Sequence, residues 1–260
     1  MKKSSASTRQ QDRTHKDKMA YGKYFIKGQK VFIKRIFTED EQQVALDTIT
    51  GYAMRSRPMQ LELALPYGSD AADSYPFVPN MQFEVLTDNN GMGLRLTASF
   101  VERTSSTDIR LQFEGNLEFI SRRIYRRVDV NAWVGIKRGT GNLAEMRTLW
   151  KESLEKIQSG VSAAELTEFK KYLLNLAGGG MRIPMQAPAE HSELVLIFLS
   201  IGDKKGIICA LSEVVWIGRP EADGRQQTGL RFLNILEEDQ ERINVVVKTL
   251  LDRLGKTGEE

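Results

Sequence analysis

The chain has 260 residues, 41% of them hydrophobic and 27% charged, a globular composition sufficient for one large or two ordinary domains. No apolar run reaches the roughly 18 to 20 residues that a bilayer-crossing helix needs, and the basic N-terminus lacks the apolar core of a secretory signal. The expectation is a cytoplasmic protein. One cysteine, Cys209, and two histidines, His15 and His191, exclude an internal disulfide framework and a cysteine-based zinc site and disfavour a histidine-centred active site.

Charge is unevenly placed. Residues 1–18 hold six basic side chains (Lys2, Lys3, Arg9, Arg13, Lys16, Lys18) against Asp12 and Asp17, a net +4 of a whole-chain +3, so residues 19–260 sum to −1. The expectation for 1–18 is a disordered, solvated tail, although such a tail could also touch anionic lipid or nucleic acid. Any basic cluster beyond it is a local feature of a near-neutral body.

Residues 24–115 read as a run of short strands. The runs "KYFIKGQKVFIKRIF", "QQVALDTITGYAM" and "MQLELAL" alternate in part between apolar and polar residues and are separated by Gly, Pro and acidic turns. "MQFEVLTDNNGMGLRLTASFVE" is the clearest hairpin, with Asn90-Gly91 supplying turn residues that tolerate positive φ. "DIRLQFEG" adds a further strand. Strands at this spacing predict a small antiparallel barrel or sandwich with no catalytic cluster.

Four arginines, Arg122, Arg123, Arg126 and Arg127, then stand directly before the alternating strand Val128–Ile136. Like charges at this density repel one another, so an anion is expected to offset them. Leu143, Met146, Leu149, Trp150, Leu154 and Ile157 next recur at three- and four-residue steps, the face of a helix. Gly160 ends it, and Ser162 with Glu165 forms a capping-box pattern opening a second helix through Leu166, Phe169, Tyr172 and Leu173. Together they predict a helical hairpin over about 140–174.

Strands resume at "GMRIPM", "ELVLIFLS", "GIICALSEVVWIG" and "QTGLRFLNI", with Asp203 and Asp223 in turns. Ile243, Val246, Val247, Leu250, Leu251 and Leu254 mark a closing helix packed on a barrel.

The order of these elements resembles a PilZ domain, the bacterial cyclic di-GMP receptor module. Arg123 and Arg127 match its RxxxR pair, with Arg122 as an additional preceding arginine. "NLAGGG" is similar to its [D/N]xSxxG element through Asn175, Ala177 and Gly180, and "GMRI", "VVW" and "TGLRF" look like its later strands. The resemblance covers 119–254, and residues 19–118 look like the N-terminal domain of flagellar-brake (YcgR-like) proteins.

The resemblance implies a mainly β protein of two small barrels, the second six-stranded with an inserted helical hairpin and a C-terminal helix, and residues 255–260 as a tail. It implies a ligand site of Arg122, Arg123, Arg127, Asn175, Ala177 and Gly180, with cyclic di-GMP as ligand and no cofactor or metal. Implied partners are cyclic di-GMP and a protein of the flagellar, pilus or regulatory machinery. A homo-oligomer is left open, and neither a specific nucleic acid nor a membrane span is expected.

The physics agrees with such a ligand. An Arg fork pairs bidentately with phosphate or with guanine O6 and N7, an Asn amide carries both donor and acceptor, and a glycine run admits close backbone approach.

Two departures stand out. Ala177 replaces the motif's serine, removing one hydrogen bond of about 0.5–1.5 kcal/mol, and the helical insertion is absent from the typical domain. Three alternatives follow. The chain is a nucleotide-blind scaffold that self-associates or binds a protein through its insertion, as some divergent PilZ domains do. It binds nucleic acid through its tail and arginines. Or Arg122 and Arg126 are simply solvated or paired with Glu118 and Asp129. No constellation supports catalysis, so an enzyme is not expected.

Overall fold

The computed structural model describes residues 21–38, 41, 44–89, 91–121, 123–139, 142–203 and 205–256. Arg122, Asn90, the expected tail 1–18 and residues 257–260 of the expected tail 255–260 therefore lie outside the described residues, whereas 255 and 256 end the last helix. The described chain divides into two compact units, one within Met1–Thr38 and Ile49–Arg122, the other within Glu39–Thr48 and Arg123–Glu260.

The first unit is a closed barrel. Its strands are β1 (Lys30–Arg35), β2 (Ala45–Arg57), β3 (Gln60–Ala64), β4 (Gln82–Asn89), β5 (Met92–Arg103) and β6 (Asp108–Ile120), with one helical turn, α1 (Ala71–Ser74), between β3 and β4. They neighbour one another in the order β1-β4-β5-β6-β3-β2, and β2 pairs back onto β1. Alternation sends Val31, Ile33, Leu61, Leu63, Phe83, Val85, Ile109, Leu111 and Phe113 inward, all but fully buried. Gly91, at φ 85°, sits in the β4–β5 hairpin, where its amide donates to Asp88 Oδ1 at 3.0 Å.

The second unit holds β7 (Val128–Arg138), α2 (Leu143–Gln158), α3 (Ala163–Leu166), β8 (Phe169–Ala177), β9 (Gly180–Gln186), β10 (Leu194–Ser200), β11 (Ile208–Pro220), β12 (Arg225–Leu236) and α4 (Glu237–Lys256). Its six strands run β12-β11-β10-β7-β8-β9 and close through a β9–β12 pairing. Val128, Val134, Leu174, Leu176, Ile183, Ile197, Leu230 and Phe232 fill the interior, and Ile243 and Val247 of α4 pack against them. The C-terminal stripe thus closes a core, although Leu254 at its end is 61% exposed.

Residues 45–47 of β2 also belong to this unit. Asp47, Leu46 and Ala45 pair with Asn234, Ile235 and Leu236 of β12. Helix α2 is tied to the same segment, because Arg147 reaches both Asp47 carboxylate oxygens at 2.9 and 3.0 Å. The helix opens where Asn142 Oδ1 accepts from the Glu145 amide and buries Leu143, Met146 and Trp150, whose indole N–H donates to the Cys209 carbonyl at 3.1 Å. Burial pushes the Cys209 thiol up to about 12, so it is an inert core residue.

The expected helical hairpin is corrected in its second half. The capping box at Ser162 and Glu165 is present, but the helix it opens is the single turn α3. Thr167 is already extended (φ −172°, ψ 168°), and Phe169, Tyr172 and Leu173 belong to β8. Phe169–Leu176 pairs with eight consecutive residues of β7 and places Leu174 and Leu176 in the core. That long-range ladder outweighs the local three- and four-residue spacing, a tertiary override of a short periodic run.

Candidate ligand site at the arginine linker and the β8–β9 hairpin

Asn175, Ala177 and Gly180 frame the turn between β8 and β9. Asn175 pairs with Arg182, Leu176 with Met181 and Ala177 with Gly180, which leaves Gly178-Gly179 as a two-residue loop. Gly180 has φ 151°, and a Cβ there would stand 2.1 Å from the Leu230 carbonyl oxygen of β12. The adjoining Phe232 amide donates to the Gly179 carbonyl at 3.1 Å, fastening the loop to β12. Ala177 is 4% exposed, at the position where the family motif has serine.

The arginine segment runs onto this loop. Tyr125, between Arg123 and Arg127, places its ring against Gly178 and Gly179, where added Cβ atoms would come within 3.0 and 2.7 Å of it. Gln240 of α4 donates from one nitrogen to the Tyr125 hydroxyl at 3.2 Å and to the Gly178 carbonyl at 2.9 Å. A single amide therefore holds linker, hairpin and helix together, and the absence of side chains at 178 and 179 makes room for the tyrosine. Asn244 Oδ1 fills the other side of Gly178.

Register brings the remaining groups together. Val128 faces Leu176 and Asp129 faces Asn175, so Arg127 enters beside the end of β8. Arg123, Arg126 and Arg127 are all exposed residues. Asn175 Nδ2 donates to Asp129 Oδ1 at 2.7 Å. Beyond Asn175 the outward row continues through Arg182 to Gly229 of β12 and Trp216 of β11, the indole being 48% exposed. The row thus offers carboxylate, amide, guanidinium and aromatic face in sequence across four strand boundaries.

Arg126 is exposed, in keeping with the solvated alternative, and the carboxylates named for its pairing bond elsewhere. Glu118 is held by Arg95, whose Nε and Nη2 lie 3.0 and 2.6 Å from one carboxylate oxygen, while Asp129 Oδ1 takes the Asn175 amide. Asp203, expected only in a turn, accepts from Arg242 of α4 at 2.8 and 2.9 Å. Sequence reasoning missed Tyr125, Asp129 and Arg182 as neighbours of the site. Tyr125 left one signal, an aromatic residue inside a run of arginines. Among the described residues no cluster of His, Cys, Asp or Glu could hold a metal ion, and no helix is long and apolar enough to cross a membrane.

A six-stranded barrel entered through an arginine-rich linker, with a glycine hairpin beneath that linker, defines a class of protein. Residues 121–248 match the family model described as PilZ domain, and the chain carries a PilZ domain. No curated protein matches the chain.

Among solved structures it is similar to the inhibitor of motility MotI/DgrA of Bacillus subtilis, at 16% identity over 89% of this chain and 99% of that one, TM-score 0.35. It is also similar to YcgR of Escherichia coli in complex with c-di-GMP, at 14% identity over 88% and 87% of the two chains, TM-score 0.35. A third similar structure is MrkH of K. pneumonia, at 12% identity over 99% and 98%, TM-score 0.39.

Proposed function

We propose that the protein is a cyclic di-GMP receptor that binds the nucleotide between the Arg122–Arg127 segment and the Asn175–Gly180 hairpin. The observation that carries this reading is Tyr125 seated on Gly178-Gly179, which brings the arginine segment over the hairpin. Arg123 and Arg127 supply planar forks for the two phosphates or for guanine O6 and N7. Asn175 reads a guanine edge, and the exposed faces of Arg182 and Trp216 extend the seat along the barrel wall. Gly180 keeps the hairpin close to β12, and Ala177 lacks only the hydroxyl that a serine would contribute.

The arginine segment is also the chain's passage from the first unit into β7. A dianion bound there orders that passage and favours whichever domain arrangement binds it better. The output is a changed surface for a protein partner, in motility or surface attachment as the flagellar-brake resemblance of residues 19–118 implies. We assign binding and signalling to the chain and no catalysis.

The scaffold reading draws on a smaller apolar surface than the whole stripe, because Leu143, Met146 and Trp150 are buried, Leu149, Leu154 and Ile157 are half-buried, and Leu173 alone of the named residues is exposed.

Titration calorimetry of wild type and of Arg123→Ala plus Arg127→Ala tests the proposal. Wild type binds cyclic di-GMP, and the double variant loses about a hundredfold or more in affinity, the scale of two charge-assisted contacts. No heat from wild type at micromolar protein and tens of micromolar ligand would leave the scaffold reading in its place. Deleting residues 1–18 leaves affinity unchanged if the ligand is the dinucleotide, whereas a nucleic-acid binder would lose it together with its steep salt dependence.

A further inference from the structure

Asp129 stands beside Asn175 on the neighbouring strand, and the amide nitrogen of Asn175 donates to Asp129 Oδ1 at 2.7 Å. An ionised carboxylate only accepts hydrogen bonds, so Asn175 cannot turn its own oxygen toward it without placing two acceptors face to face. The amide is planar, and once its nitrogen is committed to Asp129 its oxygen is turned away from that side. One N–H and Oδ1 remain, in a fixed order. Both residues have solvent access, Asn175 being half-buried and Asp129 exposed, so the remaining pair is open to a ligand.

The order matters for a purine. The Watson–Crick edge of guanine sets the O6 acceptor beside the N1–H donor, whereas adenine sets the N6 donor beside the N1 acceptor. An unrestrained asparagine amide serves either base by rotating half a turn. A pinned one serves a single order in a given seat.

We propose that Asp129 is a positioning residue that pins the Asn175 amide and thereby makes the site select guanine over adenine. This rests on the cyclic di-GMP reading above. Asp129 also brings a negative charge near the two phosphates of the ligand, which weakens binding of any cyclic dinucleotide. That charge effect is common to cyclic di-GMP and cyclic di-AMP, so the ratio of their affinities isolates the amide's orientation.

Competition against fluorescent cyclic di-GMP on the full chain reads this ratio for wild type, Asp129→Ala, Asp129→Asn and Asp129→Ala in an Asn175→Ala background. Asp129→Ala narrows the preference for cyclic di-GMP over cyclic di-AMP by about three- to tenfold, the scale of one neutral hydrogen bond. Asp129→Asn, which keeps an acceptor oxygen without the charge, retains most of the preference. In the Asn175→Ala background the loss of Asp129 leaves the ratio unmoved, an outcome that a merely structural carboxylate would not produce. A preference in Asp129→Ala as wide as in wild type, with wild type binding cyclic di-GMP, overturns the role of Asp129 alone. Wild type that fails to bind cyclic di-GMP overturns the receptor reading and this inference with it.

Discussion

The Tyr125 ring lies so close to Gly179 that a methyl group on that glycine would meet the ring at 2.7 Å. Their contact seats the arginine segment on the hairpin, with Gln240 bonding to the tyrosine hydroxyl and to the Gly178 carbonyl. Gly179→Ala therefore displaces Tyr125 and with it the backbone between Arg123 and Arg127. The expected result is at least a tenfold loss of cyclic di-GMP affinity by calorimetry, with no more than about 1 kcal/mol lost in urea unfolding. Tyr125→Ala should do the same. Full affinity in both variants would mean that the linker does not need its seat.

Gly180 is a different case one residue along. Its φ of 151° is a conformation that side chains with a Cβ rarely adopt, and its Cβ would strike a backbone oxygen, that of Leu230, rather than a movable side chain. Gly180→Ala is expected to cost about 2–4 kcal/mol, seen as a lower urea midpoint with an unchanged slope. An effect no larger than that of Gly179→Ala would show that β9 and β12 can separate cheaply.

Ala177→Ser restores the family's hydroxyl at a position only 4% exposed. In the free protein that hydroxyl must find a partner or cost about 1 kcal/mol. With ligand bound, the same group gains a phosphate or base oxygen. We expect ligand affinity to rise up to about tenfold while the free protein becomes slightly less stable, read by calorimetry and urea unfolding on the same preparations. An affinity left unchanged would place the ligand elsewhere.

Local patterns carry part of this architecture. The Val128–Ile136 alternation, the α2 stripe at Leu143, Met146 and Trp150, and the Ile243–Val247 stripe each depend on neighbours in sequence, and each is visible there. Leu166–Leu173 misleads because Leu166, Phe169, Tyr172 and Leu173 have helical spacing by coincidence of a strand that follows a helical turn. The strand's cause is β7, some forty residues earlier, which no local window contains. The pairing of residues 45–47 with β12 is similarly invisible, since Asn234 reaches the Leu46 carbonyl across 188 positions. The arginine run and the glycine loop are both legible as strings. Their meeting depends on Tyr125 and Gln240, 115 positions apart, whose hydrogen bond leaves no trace in spacing.

Arg242 gives the last prediction. It fastens α4 to the β10–β11 loop by bonding Asp203, Asp239 and the Gly206 carbonyl, with its own side chain 12% exposed. Its hydrogen bonds hold the Asp203 carboxyl below the usual range, whereas burial pushes the Asp239 carboxyl above it, with Arg242 opposing the rise. Asp203 therefore stabilises the fold above its unfolded pKa, near 4, and that contribution disappears as acid protonates it. Asp239 acts in reverse: keeping it charged costs stability at neutral pH, and the cost is relieved as pH falls through its raised pKa.

Arg242→Met removes the partner of both. At pH 7 the loss is about 3 kcal/mol, because a buried Asp239 carboxylate is left uncompensated. As pH falls from 7 toward 4 the unpaired Asp239 takes up a proton in the variant and its cost there is relieved, so the gap between the two narrows before wild type loses the Asp203 contribution in stronger acid. Urea unfolding of both proteins at pH 7, 5.5 and 4 measures that gap. A gap that stays constant or widens in acid would show that Arg242 contributes packing by its methylene stem rather than charge pairing to the seat of α4.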